Sequence, residues 1–173
     1  RLANGIDTSP VVEHEVHDSK SISRSTTLSS DITDIENAKT VILRLTEEVG
    51  AEARRYGSKG KTVSISIKYA DFQSITRQKS ITPTYLTREI YRTASALLDE
   101  NWNVFKPVRL LGVALSNFDE DCTAQVSIFD MDGMEGKDEK EEKLERAMDC
   151  IRTRYGSDKV LRAKILKGKN QSL

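Results

Sequence analysis

Between Thr62 and Tyr69 the chain alternates. Val63, Ile65, Ile67 and Tyr69 fall on one side, and Thr62, Ser64, Ser66 and Lys68 on the other. A period of two predicts a half-buried strand with one apolar face. A tight connection at Ala70-Asp71 leads into a second β-rich run, Phe72 to Ile81, and the pair reads as a hairpin. Its open face is expected to carry Ser64, Ser66, Lys68, Thr76, Gln78 and Lys79. On both flanks the period lengthens. Ile35, Ala38, Ile42, Leu45 and Val49 recur at spacings of three and four, which predicts a helix to about Tyr56. Asp31 or Asp34 caps it, and Gly57-Ser58-Lys59-Gly60 stops it. Arg54 and Arg55 near its end suit the helix dipole. Pro83 and Thr84 open a second helix to about Asn101, with Leu86, Ile90, Ala94, Leu97 and Leu98 on its core side.

Two further strands complete the pattern. Ser19 to Ile32 is rich in Ser and Thr, with Ile22 and Leu28 as apolar anchors, and reads as an edge strand. Pro107 to Ser116 is mostly apolar, as a central strand should be. The order β-α-β-β-α-β predicts an α+β fold: a four-stranded, antiparallel-type sheet with two helices on one face and a polar face left open. Beyond Phe118 come an acidic loop, the segment Gln125 to Gly133 and a charged run, Glu135 to Glu142. Leu144, Ala147, Met148, Ile151 and Tyr155 then form a helical stripe ended by Gly156, and Lys159 to Leu166 reads as a short terminal strand or extended arm. The chain divides accordingly into residues 1–17, a linker; 18–118, the main domain; 119–136, a loop; and 137–173, a helix-strand extension.

Charge is unevenly distributed along the chain. The whole chain of 173 residues balances 27 basic against 27 acidic residues. From Arg54 to Arg92, nine basic residues face only Asp71 and Glu89, a local +7. A basic region around a polar sheet face suggests a polyanion partner. Apolar runs are too short for a transmembrane helix, so no membrane partner is expected. The chain opens on Arg1 and reads as a piece of a longer protein. Cys122 and Cys150 read as reduced thiols rather than a disulfide framework.

Chemistry-bearing patterns are sparse. His14 and His17 have a metal-compatible spacing but lack further ligands, and Asp130 and Asp132 sit in a loop rich in acids. No phosphate loop and no nucleophile beside a His occurs, so no catalytic residue and no cofactor is expected in this chain. Gln125-Val126-Ser127-Ile128-Phe129 is sharper. An Ile-Phe pair in a polar linker is costly to expose unless a partner's pocket receives it. A short strand inside the fold is the competing reading.

Several of these pieces resemble the C-terminal part of Y-family translesion DNA polymerases, of the bacterial DinB-like DNA polymerase IV type. They are Gly5-Ile6-Asp7, KSIS at Lys20 to Ser23, VSISIKYADFQSITRQKSI, TREIYRTASALL and VRLLGVALSNF. The helix ending in RYG at Arg154 to Gly156 resembles the tail of Gram-positive members. QVSIF resembles the family's sliding-clamp-binding pentapeptide, with Ile128 where Leu is commoner, a volume-conserving change.

The resemblance implies that residues 18–118 are the little finger, or polymerase-associated, domain. It would grip primer-template DNA through backbone phosphates and tether to the sliding clamp (beta subunit) through QVSIF. Residues 1–17 would be the thumb end. Palm, fingers and most of the thumb would lie upstream in a nucleotidyltransferase of the bacterial cytoplasm, with magnesium in the full-length polymerase. Lys20, Ser21, Ser23 and Arg24 would touch one strand of DNA. Ser64, Ser66, Lys68, Thr76, Arg77 and Lys79 would form the middle of the surface, with Arg109 at the last strand. Arg24 and Arg77 are out of phase with their neighbours, and each needs a bulge to join that face. Leu110 and Ala114 occupy outward positions where some family members carry Arg. Four to six phosphate contacts would give a log-log salt slope of roughly −4 to −5. The alternative is an RNA-binding or protein-interaction module whose polar sheet face is merely solvated. An RNA-binding sheet usually displays stacking aromatics, and none is expected on this face.

Overall fold

The computed structural model describes residues 21–118 and 135–165, together with Asn4. Strand β1 (Ser21–Ile32) is followed by helix α1 (Ile35–Tyr56), strands β2 (Gly60–Tyr69) and β3 (Ser74–Thr84), helix α2 (Thr87–Asn101), strand β4 (Val108–Phe118) and helix α3 (Glu135–Tyr155). The sheet is antiparallel, ordered β1-β4-β2-β3, so β4 and β2 are central. This is the expected α+β architecture. Strand β3 runs further than its alternation suggested and includes Pro83. An edge strand tolerates Pro because its outer N–H groups have no ladder partner to lose.

Helices α1 and α2 cover one face. Asp34 caps α1 by accepting from the Asn37 N–H at 3.0 Å. Gly57, at φ 67°, closes it in the left-handed region that glycine enters without a Cβ penalty. α1 lies over β1 and β4, and α2 over β2 and β3. Between these layers Ile42, Val49, Ile65, Ile67, Ile90, Leu98, Leu111 and Leu115 are all but sealed from solvent. Burial of that apolar surface is the main force holding helices to sheet.

α3 docks differently. Its buried side is charged: Glu145 is 2% exposed, and its Oε2 accepts from Arg54 Nη1 at 2.5 Å and from the Thr87 N–H at 3.1 Å. Arg54 also donates to both carboxylate oxygens of Asp149 and to the Tyr85 carbonyl. Arg162 bridges Glu145 and Glu47, and Arg152 joins Glu47 at 3.0 Å. The end of α1 and the start of α2 thus present a cation and an unpaired N–H that need partners when covered. Leu86, the N-cap residue of α2, supplies no side-chain cap, and the Glu145 carboxylate takes that place.

The apolar residues Leu144, Ile151 and Tyr155 consequently face outward and are exposed. Residues 159–165 do not form the expected strand. Arg152 Nε donates to the Val160 carbonyl, residues 163–165 turn helically, and Ile165 is buried. The side chain and backbone groups of this segment serve the ion network and a local turn rather than a sheet edge.

Candidate nucleic-acid interface

The antiparallel register assembles the uncovered face in four cross-strand rows. Ser21, Ser116, Thr62 and Ser80 form the first, and Ser23, Ala114, Ser64 and Gln78 the second. Ser25, Gly112, Ser66 and Thr76 form the third, and Thr27, Leu110, Lys68 and Ser74 the fourth. None is a carboxylate and none is aromatic. The relief is low at the centre: a Cβ on Gly112 would come within 2.4 Å of the Ser66 hydroxyl and 3.1 Å of the Ser25 Cβ. Thr62 is buried because the Asn117 amide covers its hydroxyl at 2.9 Å. A lawn of short hydroxyls without opposing acids can donate hydrogen bonds to phosphate oxygens and lets a backbone approach closely.

Cations are few on this face. Lys68 lies on it by phase. Arg109 reaches it through a bulge, as the extra residue between the pairs Tyr69–Val108 and Lys68–Leu110. The Lys68 Nζ stands 5.2 Å from the Phe72 ring centroid, and the Arg109 guanidinium 5.4 Å. Phe72 ends the hairpin turn at φ 64° and is 65% exposed. Beside it, the hydrogen bond from Lys106 to Asp71 holds that carboxyl below its ordinary range, so the acid of the turn is charged and already engaged.

Three expected contacts do not join the face. Arg24 stands opposite Val113, Arg77 opposite Ile65 and Lys79 opposite Val63, and all three of those partners point into the core. No bulge turns Arg24 or Arg77. Arg24 pairs with Glu52 of α1, and Arg77 donates to the Asn101 side chain at the end of α2 at 2.9 Å. Lys79 sits next to Gln78, and neighbours on a strand cannot share a face. Other cations of the local +7 are likewise spent elsewhere. Arg54 is buried against Glu145 and Asp149, and Arg88 pairs with Glu89, Asp138 and Glu141. Acids of α3, distant in sequence, thus engage these two cations of the basic run. Ser21, Ser23, Ser64, Ser66, Lys68, Thr76 and Arg109 are brought together as expected, and Leu110 and Ala114 do face outward among them. Lys20 and Gln125 to Phe129 lie outside the described residues. Among the described residues no cluster of His, Cys, Asp or Glu could hold a metal ion, and no helix is long and apolar enough to cross a membrane.

Residues 19–128 match the model of the impB/mucB/samB family C-terminal domain. The chain belongs to that family. DNA polymerase IV of Clostridium kluyveri is 47% identical over 171 residues, covering 96% of this chain and 43% of its own length. The putative UV-damage repair protein UvrX of Bacillus subtilis is 36% identical, covering 93% of this chain and 38% of its own length. The chain therefore spans about two fifths of these curated relatives. A solved complex of beta-clamp processivity factor and the little finger domain of PolIV shares the fold. It has a TM-score of 0.50 and 21% identity, and covers 62% of this chain and 97% of its own. The impB/mucB/samB C-terminal domain of this chain thus has a helix-covered face and an open hydroxyl face.

Proposed function

We propose that the chain is the DNA-gripping little finger domain of a bacterial, cytoplasmic lesion-bypass DNA polymerase. Residues 1–17 are the thumb end of that enzyme. Its open sheet face lies along primer-template DNA and holds the backbone. The observation that carries this reading is the acid-free array of hydroxyls around Ser64, Ser66, Ser23 and Thr76, with Lys68 and Arg109 at one end. Hydroxyl donors and cations bind phosphates, which carry no sequence code, and a polymerase that passes damaged bases needs such a grip. The names of the relatives support the parent activity. Catalysis, and any magnesium it uses, belongs to the part of the polymerase outside this chain.

The tether is the second half of the proposal. Gln125 to Phe129 docks Ile128 and Phe129 in a pocket of the sliding clamp, and a little finger domain has been solved with a beta clamp. The grip is tested by duplex titration at several salt concentrations. Lys68 and Arg109 give a log-log slope of about −2, and Lys20 brings it towards −3, shallower than the basic run alone suggests. A slope near zero would leave the face a solvated surface. Ile128→Ala with Phe129→Ala is expected to abolish clamp binding and leave duplex binding unchanged. Loss of folding in that variant would make the segment structural.

A further inference from the structure

We infer that Phe72 is a positioning residue: its ring gathers Lys68 and Arg109 into one preorganised phosphate-binding subsite at the hairpin end of the open face. The inference rests on the reading of that face as a nucleic-acid grip. Lys68 and Arg109 belong to different strands, and two like charges have no reason to converge. Here both stand over one ring, at 5.2 and 5.4 Å from its centroid, where the negative face of the π-system attracts each. Among the described residues no ion pair claims either of them, so both charges stay available to an anion.

The turn is built to hold that ring in place. Phe72 has a positive φ, uncommon for a bulky side chain. Its N–H donates to the Tyr69 carbonyl at 3.0 Å, and the Tyr69 N–H to the Gln73 carbonyl at 2.9 Å. Asp71 accepts from the Gln73 N–H, and Lys106 ties Asp71 and Gln73 to the loop before β4. The Ala70 N–H reaches the Pro107 carbonyl at 2.9 Å. The surroundings thus fix an exposed aromatic that adds nothing to the core. On the other side of the subsite, the β4 bulge delivers Arg109 to the same ring. Long cationic side chains lose rotamer freedom when they clasp a phosphate, and a ring that has already narrowed that freedom strengthens the clasp.

The test uses the whole chain and a fluorescently labelled blunt DNA duplex. Phe72→Leu keeps apolar bulk and the same backbone demand but removes the π-face. It is expected to weaken binding by about five- to ten-fold at low salt, whatever the duplex sequence, while Phe72→Tyr and Phe72→Trp retain it. In a Lys68→Met, Arg109→Met background, Phe72→Leu should cost nothing more, because the ring acts through those cations. In the free chain, ring-current shifts of the Lys68 and Arg109 side-chain protons should vanish in Phe72→Leu. Unchanged affinity in Phe72→Leu, with the wild type binding normally, would overturn this inference and leave the grip intact. An equal loss in both backgrounds would overturn it in favour of direct ring contact with DNA. A wild-type chain with no salt-dependent affinity would remove the grip and this subsite together.

Discussion

On one side of β2, Val63, Ile65 and Ile67 are sealed beneath α1 and α2; on the other, Ser64, Ser66 and Lys68 remain half-exposed. The same ten residues thus serve two chemistries. The covered face is stabilised by packing, so each side chain there has a shape to match. The open face contributes little to stability and is free to be selected for what it touches. That freedom shows in its composition: small hydroxyls, no acid, and a glycine where any Cβ would press on Ser66.

Truncation should separate the faces most strongly. Leu111→Ala removes a fully buried side chain and is expected to cost about 2–5 kcal/mol in urea denaturation. Ser66→Ala on the opposite face should stay within about 0.5 kcal/mol. Equal effects would mean that the open face is packed against something in the chain.

α3 is attached differently from α1 and α2, by ion pairing at its buried side rather than by apolar packing. Glu145→Ala removes one of the two carboxylates that hold Arg54, leaving Asp149, and takes away the partner of the Thr87 N–H. Breaking a buried pair costs about 3–5 kcal/mol when the charge cannot escape, and less here because α3 can lift and let water reach Arg54. Hydrogen exchange should show α3 losing protection while β2 and β4 keep theirs. Loss of protection in the strands as well would make α3 an integral part of the core.

On binding, the faces should differ in the reverse sense. Ser66→Asp places a carboxylate at the centre of the hydroxyl rows and is expected to weaken duplex binding by about ten-fold, or about 1.4 kcal/mol. Arg77→Ala and Lys79→Ala, on the covered side, should change it by less than about two-fold. The smallest effect concerns acid. The Tyr85 hydrogen bond, with help from Arg146, holds the Glu142 carboxyl below its ordinary value of 4.5. A depressed carboxyl stabilises the folded form above that value and loses the contribution as pH falls through the lower, folded one. Burial pushes Glu141 up, so its neutralisation in acid works in the opposite direction. Protection of α3 should therefore decline only gently below pH 4.5, and Tyr85→Phe should flatten the Glu142 part of that decline in a carboxyl chemical-shift titration.

Period-two alternation made β2 legible residue by residue, and with it the order of the sheet and the phase of Ser64, Ser66 and Lys68. What it could not show was where the register breaks. A bulge was needed for Arg24 or Arg77 to reach the open face, and the chain places one at Arg109 instead. Charge counting along the sequence could not see that Arg54 is taken by Glu145 and Asp149, which arrive from a helix about ninety residues later. The stripe from Leu144 to Tyr155 announced helix α3 but not the side it buries. Apolar spacing predicts the inward side of a helix only when the surface it meets is apolar. Phe72 left one signal in the sequence, a bulky aromatic directly after the tight Ala70-Asp71 connection of the hairpin.

If the proposed grip is right, the hydroxyl face, and not the helical one, meets DNA. Amide chemical shifts of the chain should be followed while unlabelled duplex is added. Perturbations are expected to concentrate at residues 23–25, 64–68, 74–78 and 109–114, with α1, α2 and α3 nearly unmoved. Perturbations concentrated on α1 and α3, with the sheet rows silent, would contradict the grip.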